Sequence, residues 1–350
     1  MKYKIKKIAG IDCIFIPMET TSTTIQVVRA GSAYETEKES GISHFLEHMF
    51  FKKKYKTAKE VTETIDNIGG EFNAFTKEKT YYVKVTPKYL NLAIDLLSDM
   101  LVNPNFDPNK IESERVIIQE LKMNQDDPYS VLMKNFLKFY YGDNSYGRKV
   151  ITEKNILSFQ QKDLFDYKDS LYTKDNIAIA IAKIDQKELE KILREKFKDL
   201  PTKKTKQKAK FTIQAKEKEF IKKVAQNHLI LIPVNVFDNR KYALSLLATI
   251  LTMSSILTQE LREKLGICYY IASHYTTEED GIFFIEALDK KNFKKIEKIN
   301  RILNKIVEGN ITQEQLDKAK SHLIKKEIIE TSNEMVYILD QYLSKNSITT

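Results

Sequence analysis

Apolar and polar positions alternate over Cys13–Pro17 and again over Thr24–Arg29, which predicts two strands near the start of the chain. Ala30, Gly31 and Ser32 interrupt the second, and an acidic loop runs from Glu35 to Glu39. The apolar spacing then changes to that of a helix, from about Gly41 to Phe51. Thr57 and Glu60 stand at capping-box spacing for a further helix. That helix should end at Gly69-Gly70, where glycine can take the left-handed cap conformation. Glu71–Phe75 and Thr80–Val85 read as paired strands, followed by a helix from about Lys88 to Val102. Asp107 and Pro108 open another, with Asp as the cap and Pro at the first helical position. It continues to about Asn124, and helical patterns resume as far as Tyr141. Asn176–Ile184 alternates as a strand, and Gln186–Phe197 reads as a helix. The Lys-rich stretch 201–210 has the polarity of a linker.

The pattern also repeats. Adding 205 to the numbers of Ile94, Leu97, Leu101, Phe106 and Ile111 lands on Ile299, Ile302, Ile306, Ile311 and Leu316, apolar at every position. Each block follows a strand, Tyr81–Val85 or Ile282–Ala287. The chain therefore reads as two duplicated α+β domains, 1–200 and 211–350. By the same offset a complete second copy would end near about residue 405, roughly 55 residues beyond Thr350, so the second domain is expected to be shortened.

Composition narrows the function classes. The net charge is +9, but 57 basic residues are scattered among 48 acidic ones, which predicts a solvated Lys-rich surface rather than a nucleic-acid face. No apolar run approaches the roughly 18–20 residues of a membrane helix. The short apolar stretch Ile11–Pro17 holds Asp12 and reads as an edge strand, not a signal peptide. Cys13 and Cys268 imply neither a disulfide framework nor a cysteine metal site, and a cytoplasmic location is the default expectation.

The chemistry concentrates in His44-Phe45-Leu46-Glu47-His48. Positions i and i+4 share one face of a helix, so two imidazoles there can reach one zinc ion. Glu47, three residues after His44, shares that face and is placed to take a proton from water held by the metal. A catalytic zinc usually takes three protein ligands. Glu112, Glu114 and Glu120 all lie on the helix after Asp107. Glu120 is flanked by Val116, Ile117, Ile118 and Leu121, and a carboxylate in such apolar company needs a partner or a metal. Its counterpart in the second copy is Lys325, and that copy has no His-x-x-Glu-His, so only the first domain can hold this metal.

At these residues the chain resembles the pitrilysin/insulysin family, the inverted-motif zinc peptidases. The similarity runs from Ala30-Gly31-Ser32 through Gly41–Lys52, through Gly69–Thr76 with Thr80 and Tyr82, and through Arg115–Glu120 with Asp127-Pro128. It is nearest to the smaller bacterial members and to mitochondrial processing peptidase subunits. The resemblance implies two pitrilysin-like domains, Zn2+ held by His44, His48 and Glu120, and Glu47 as the general base. It also implies peptide substrates that add a strand beside Asn73, Ala74 and Phe75. In the second domain Arg262 and Tyr269 match a substrate clamp that bonds peptide carbonyls and supports the oxyanion. The family's accessory Glu would fall at Ser113, and a one-residue deletion places it at Glu114. Small relatives act as two-subunit clams, so a homodimer, or a heterodimer with a related subunit, is expected. The alternative is a non-catalytic partner subunit of a heteromeric peptidase.

Overall fold

The computed structural model describes residues 3–16, 23–50, 58–75, 79–115, 128–147, 153–182, 186–202, 218–222, 227–232, 240–253, 256–266, 268–275, 282–288, 295–309 and 311–330. They form two compact units, one from residues up to 115 with 153–202, the other from 128–147 with 218–330. The expected linker at 201–210 falls almost wholly outside the described residues. The fold is α+β throughout, as the alternation of periods predicts.

The first unit holds β1 (Lys4–Ile8), β2 (Ile11–Ile16), β3 (Thr23–Ala30), β4 (Glu71–Phe75), β5 (Lys79–Val85) and β6 (Ala178–Ala182). They make one sheet in the order β1-β2-β6-β3-β5-β4, antiparallel except for β2 beside β6. The Ile11–Pro17 stretch was expected at the edge, and this is corrected: β2 lies inside, between β1 and β6. The edge is β1, whose sequence Lys-Ile-Lys-Lys-Ile looks like solvated surface. A two-residue turn folds it back on β2, with Ala9 and Gly10 both at positive φ (53° and 88°), as a type I′ hairpin turn requires. Lysines are a common means of blunting an exposed edge. β2, by contrast, is buried along its length, and its Cys13 thiol is pushed up to about 12 by burial first, then by Asp12.

The helices of this unit are α1 (Ile42–Phe50), α2 (Ala58–Asp66), α3 (Leu90–Val102), α4 (residues 108–115), α6 (Glu153–Ser158), α7 (Gln161–Leu171) and α8 (Gln186–Lys196). α2 ends as expected: Gly69 has φ 70°, and the Gly70 N–H donates to the Ile65 carbonyl at 2.9 Å. A Cβ on Gly70 would lie 2.7 Å from Ile65 Cγ2 and 2.9 Å from the Lys84 carbonyl, so only glycine lets β4 leave the helix this closely. Asp107 caps α4, its Oδ1 accepting from the Asn109 N–H at 2.8 Å. Thr57, expected to cap α2, lies outside the described residues.

The second unit holds β7 (Lys218–Lys222), β8 (Asn227–Ile232), β9 (Tyr270–Tyr275) and β10 (Phe283–Leu288), antiparallel in the order β7-β8-β10-β9. α9 (Arg240–Met253), α10 (Lys295–Val307) and α11 (Gln313–Glu330) accompany them, with a short π-type helix at Thr258–Lys264. Leu251, Leu257, Leu261, Ile285, Ala287 and Ile299 form the core of one face. α5 (Pro128–Tyr141) comes from the first half of the chain but belongs to this unit. Its Leu132, Phe136 and Tyr140 bury against Ile282 and Phe284, with Phe136 edge-on to Phe284 at 5.4 Å.

Candidate metal centre

α1 sorts its residues sharply. Ile42, Ser43, Phe45, Leu46, Met49 and Phe50 are buried, and His44, Glu47 and His48 are the three half-exposed side chains. The apolar residues bind the helix to its unit: Phe45 meets Phe159 edge-on at 6.2 Å, and Phe50 touches Tyr81, Phe106 and Tyr172 at 5.8, 6.0 and 5.2 Å. The three polar side chains are thus turned to the open side of a helix that is fixed on every other side.

The start of α1 is held as tightly. The buried Glu35 carboxylate accepts from the backbone N–H groups of Gly41 and Ser43, at 2.9 Å each. These donors have no partner within the helix, and a negative charge there also suits the helix dipole. Tyr167 of α7 donates its hydroxyl proton to the Gly31 carbonyl at 3.0 Å, which leaves Ser43 as the donor in the 2.9 Å Ser43–Tyr167 contact. Burial, then the charge of Glu35, raises the Tyr167 pKa well above the usual phenol range, so it remains a donor. The Asn155 amide donates to the carbonyls of Glu37 and Ser40 and closes the loop before the helix.

The imidazoles of His44 and His48 approach each other through Nε2, 3.2 Å apart, with ring centroids at 4.8 Å. Two nitrogens on a tetrahedral zinc at ~2.0–2.1 Å are separated by about 3.3 Å, so this spacing fits one shared ion. The other nitrogen of His48 is already engaged: Nδ1 lies 3.0 Å from Oε2 of Glu114. Glu114 is almost completely buried, at 2% exposure. A carboxylate on the far nitrogen of a ligating histidine fixes the ring and leaves Nε2 as the lone pair. The neighbouring Arg115 anchors α4 by donating to the carbonyls of Ile156, Leu157 and Phe159. Phe159 in turn packs on Phe45, so α1 and α4 share one support.

Glu120, expected as the third ligand, lies outside the described residues. Among the described residues no group of three or more His, Cys, Asp or Glu side chains could hold a metal ion. Asn73, Ala74 and Phe75 lie in β4, paired with Tyr82, Tyr81 and Thr80 of β5. β4 ends the strand order, so its other edge carries no strand among the described residues. Arg262 and Tyr269 belong to the second unit. The Arg262 guanidinium stacks on the Tyr269 ring at 5.4 Å, and Tyr269 is 66% exposed. Arg262 sits in the π-type helix, a geometry frequent at functional sites.

Sequence reasoning passed over Glu35, Tyr81, Tyr167 and Tyr172. Tyr81 and Tyr172 are fully buried, 91 residues apart in the chain, and in contact through their hydroxyls at 3.2 Å. No local spacing signals such a contact. Among the described residues no helix is long and apolar enough to cross a membrane.

Known proteins resemble this arrangement in both halves. Residues 16–154 match the insulinase family, peptidase family M16, and residues 158–323 match the peptidase M16 inactive domain. The uncharacterized zinc protease YmxG of Bacillus subtilis is 34% identical over 311 residues, spanning 85% of this chain and 76% of that protein. An uncharacterized zinc protease of Rickettsia felis is 32% identical over 315 residues, spanning 85% and 75%. Among solved structures, a protease from Helicobacter pylori superposes with a TM-score of 0.84 at 22% identity, covering 99% of this chain and 90% of that one. The first half of the periplasmic protease PqqL from Escherichia coli gives 0.72 at 16% identity, covering 99% and 82%. The expected two-domain pitrilysin-like fold is therefore the fold of this chain, and the chain belongs to the peptidase M16 family.

Proposed function

We propose that this chain is a zinc metalloendopeptidase that cleaves extended or unfolded peptides. The observation that carries the reading is the sorting of α1, which buries six residues and leaves His44, Glu47 and His48 on one open side with the imidazole nitrogens 3.2 Å apart. In this reading His44, His48 and Glu120 hold the metal, which when bound polarises a carbonyl and acidifies water. Glu47 would serve as the base, accepting a proton from the attacking water and passing it to the leaving amine. Glu114 keeps the His48 ring in register. The free edge of β4 would receive the substrate as an added strand, with main-chain bonds giving affinity without strict sequence demand. Arg262 and Tyr269 would grip the peptide from a second-unit surface, supplied by another copy of the chain or by a related subunit.

The test is cleavage of a quenched fluorescent peptide library by wild type, by chelated protein and by Glu47→Gln. Cleavage that disappears on chelation and in the variant, with zinc still bound to the variant, supports the proposal. Wild type that binds zinc and cuts nothing, alone or mixed with a related subunit, contradicts it. A variant as active as wild type would remove Glu47 from the chemistry.

A further inference from the structure

Adding 205 to the residue numbers of α1 lands on the second half of α9. Ser43, Phe45 and Leu46 become Ala248, Ile250 and Leu251, and all six are buried. His44, Glu47 and His48 become Thr249, Thr252 and Met253, and Thr249 and Thr252 are half-buried as His44 and Glu47 are. α9 thus repeats α1 without its imidazoles and its carboxylate. Thr252, in the place of Glu47, is engaged with β9. Its Oγ1 accepts from the Ser273 N–H at 2.9 Å. The Ser273 hydroxyl donates to the Ala248 carbonyl at 2.7 Å, so in its 3.0 Å contact with Thr252 the threonine is the donor. The same Thr252 proton faces the Ser273 carbonyl at 3.1 Å.

β9 ends the strand order among the described residues, and its Ser273 stands opposite Ile285 of β10. Opposed residues of an antiparallel pair either exchange both main-chain bonds or turn both away. The Ser273 N–H and C=O both meet Thr252, so they are turned from β10 to the outer edge. One hydroxyl therefore occupies the donor and the acceptor that an added strand would use. β4 is the matching strand of the first sheet, and its Phe72 stands opposite Val83, which is as fully buried as Ile285. In that copy the place of Thr252 is held by Glu47, whose carboxylate has no proton to offer a carbonyl. We propose that Thr252 closes the outer edge of β9 to peptide strands, so that each chain receives an added strand at one edge only, that of β4. The proposal rests on the peptidase reading for what is added at β4, and the closure of β9 stands apart from it. An unpaired edge accepts extended chains with little regard for sequence. A second open edge would hold peptide in the unit that has no His-x-x-Glu-His, where it could not be cut.

The experiment uses the full chain carrying Glu47→Gln, so that peptide is bound and not cut, with Thr252 intact or changed to Ala or Ser. The probe is a short soluble peptide of alternating Val and Thr residues, titrated by calorimetry. Thr252→Ala should gain one peptide site per chain over the Thr252 protein, and Thr252→Ser, which keeps the hydroxyl, should gain none. Amide exchange resolved by residue gives the second readout. Without peptide, the Ser273 amide should exchange about 5-fold faster in Thr252→Ala, the loss expected for one hydrogen bond, and added peptide should slow it again. No gained site in Thr252→Ala, or a gained site that leaves the Ser273 amide unchanged, overturns the proposal. So does an unprotected Ser273 amide in the protein with Thr252, a result that needs no variant to fold. If the Thr252 protein takes up no peptide at all, strand addition at β4 fails, and the site gained in Thr252→Ala still decides the closure of β9.

Discussion

In the first sheet β3, β5 and β4 lie side by side in that order, and in the second sheet β8, β10 and β9 repeat it. The helices that follow repeat as well: Leu90–Val102 and Lys295–Val307 differ by the same 205 positions, and so do the starts of α4 at 108 and α11 at Gln313. Ile94 and its counterpart Ile299 are both completely buried. The difference sits one turn into the next helix. Glu114 and its counterpart Ala319 are equally buried, each 2% exposed. One copy places a carboxylate where the other places a methyl group. A charge in such a place is unfavourable unless it is paired, and in the first copy it meets His48 at 3.0 Å. The two copies share the scaffold, and the buried carboxylate stands in the copy where it meets a histidine, His48.

The comparison can be broken at several points. Glu47→Gln should carry the largest effect, a fall in kcat of roughly 10²- to 10⁴-fold with zinc content unchanged, measured on a cleavable peptide. Ala319→Glu gives the second copy the carboxylate of the first without its histidine. It should destabilise the second unit by about 3–5 kcal/mol, visible as a lower denaturation midpoint. Equal stability would mean that the two sites are not equivalent. Glu114→Ala makes the opposite exchange and should weaken zinc binding about 10- to 100-fold, read by competition with a chelating dye. Glu35→Ala removes the two acceptors at the start of α1 and should cost about 1–2 kcal/mol in chemical denaturation.

The smallest effect near neutrality is one of pH. Tyr81, Tyr167 and Tyr172 of the first unit have folded pKa values above that of a free phenol, with burial as the first cause. The folded state then binds more protons than the unfolded chain above pH ~10, so this stabilisation is complete below that pH and is lost as pH rises beyond it. In the second unit Tyr270 and Tyr275 are raised with only partial burial. Alkaline titration followed by hydrogen exchange should therefore open the first unit before the second, and simultaneous opening would contradict this.

Much of the fold was legible from the chain. The offset of 205 could be read because buried positions of α3 and α10 must be apolar whatever surrounds them. Asp107 and Gly69-Gly70 were legible because caps are local, set by the backbone within a few residues. β1 was missed because Lys-Ile-Lys-Lys-Ile satisfies a surface as well as an edge strand. α5 follows the first half in sequence but packs on Ile282 and Phe284, and chain order says nothing about which unit buries a helix. In the site, His44, Glu47 and His48 lie within one turn and announced themselves by spacing. Glu114 was named through a family pattern displaced by one residue, and its contact with His48 spans 66 positions. Glu35 was read only as part of an acidic loop, although its oxygens cap α1. The tyrosines Tyr81, Tyr167 and Tyr172 could not be foreseen, since contacts across 91 to 136 residues depend on how the sheet and α7 close together.

The most direct measurement is the zinc content of the purified chain by mass spectrometry of the metal, compared with His44→Ala and Glu47→Gln. The account predicts one zinc per chain in wild type and in Glu47→Gln, and its loss in His44→Ala. A chain that holds no zinc, or one that keeps it without His44, would contradict the claim that the open side of α1 is a metal centre.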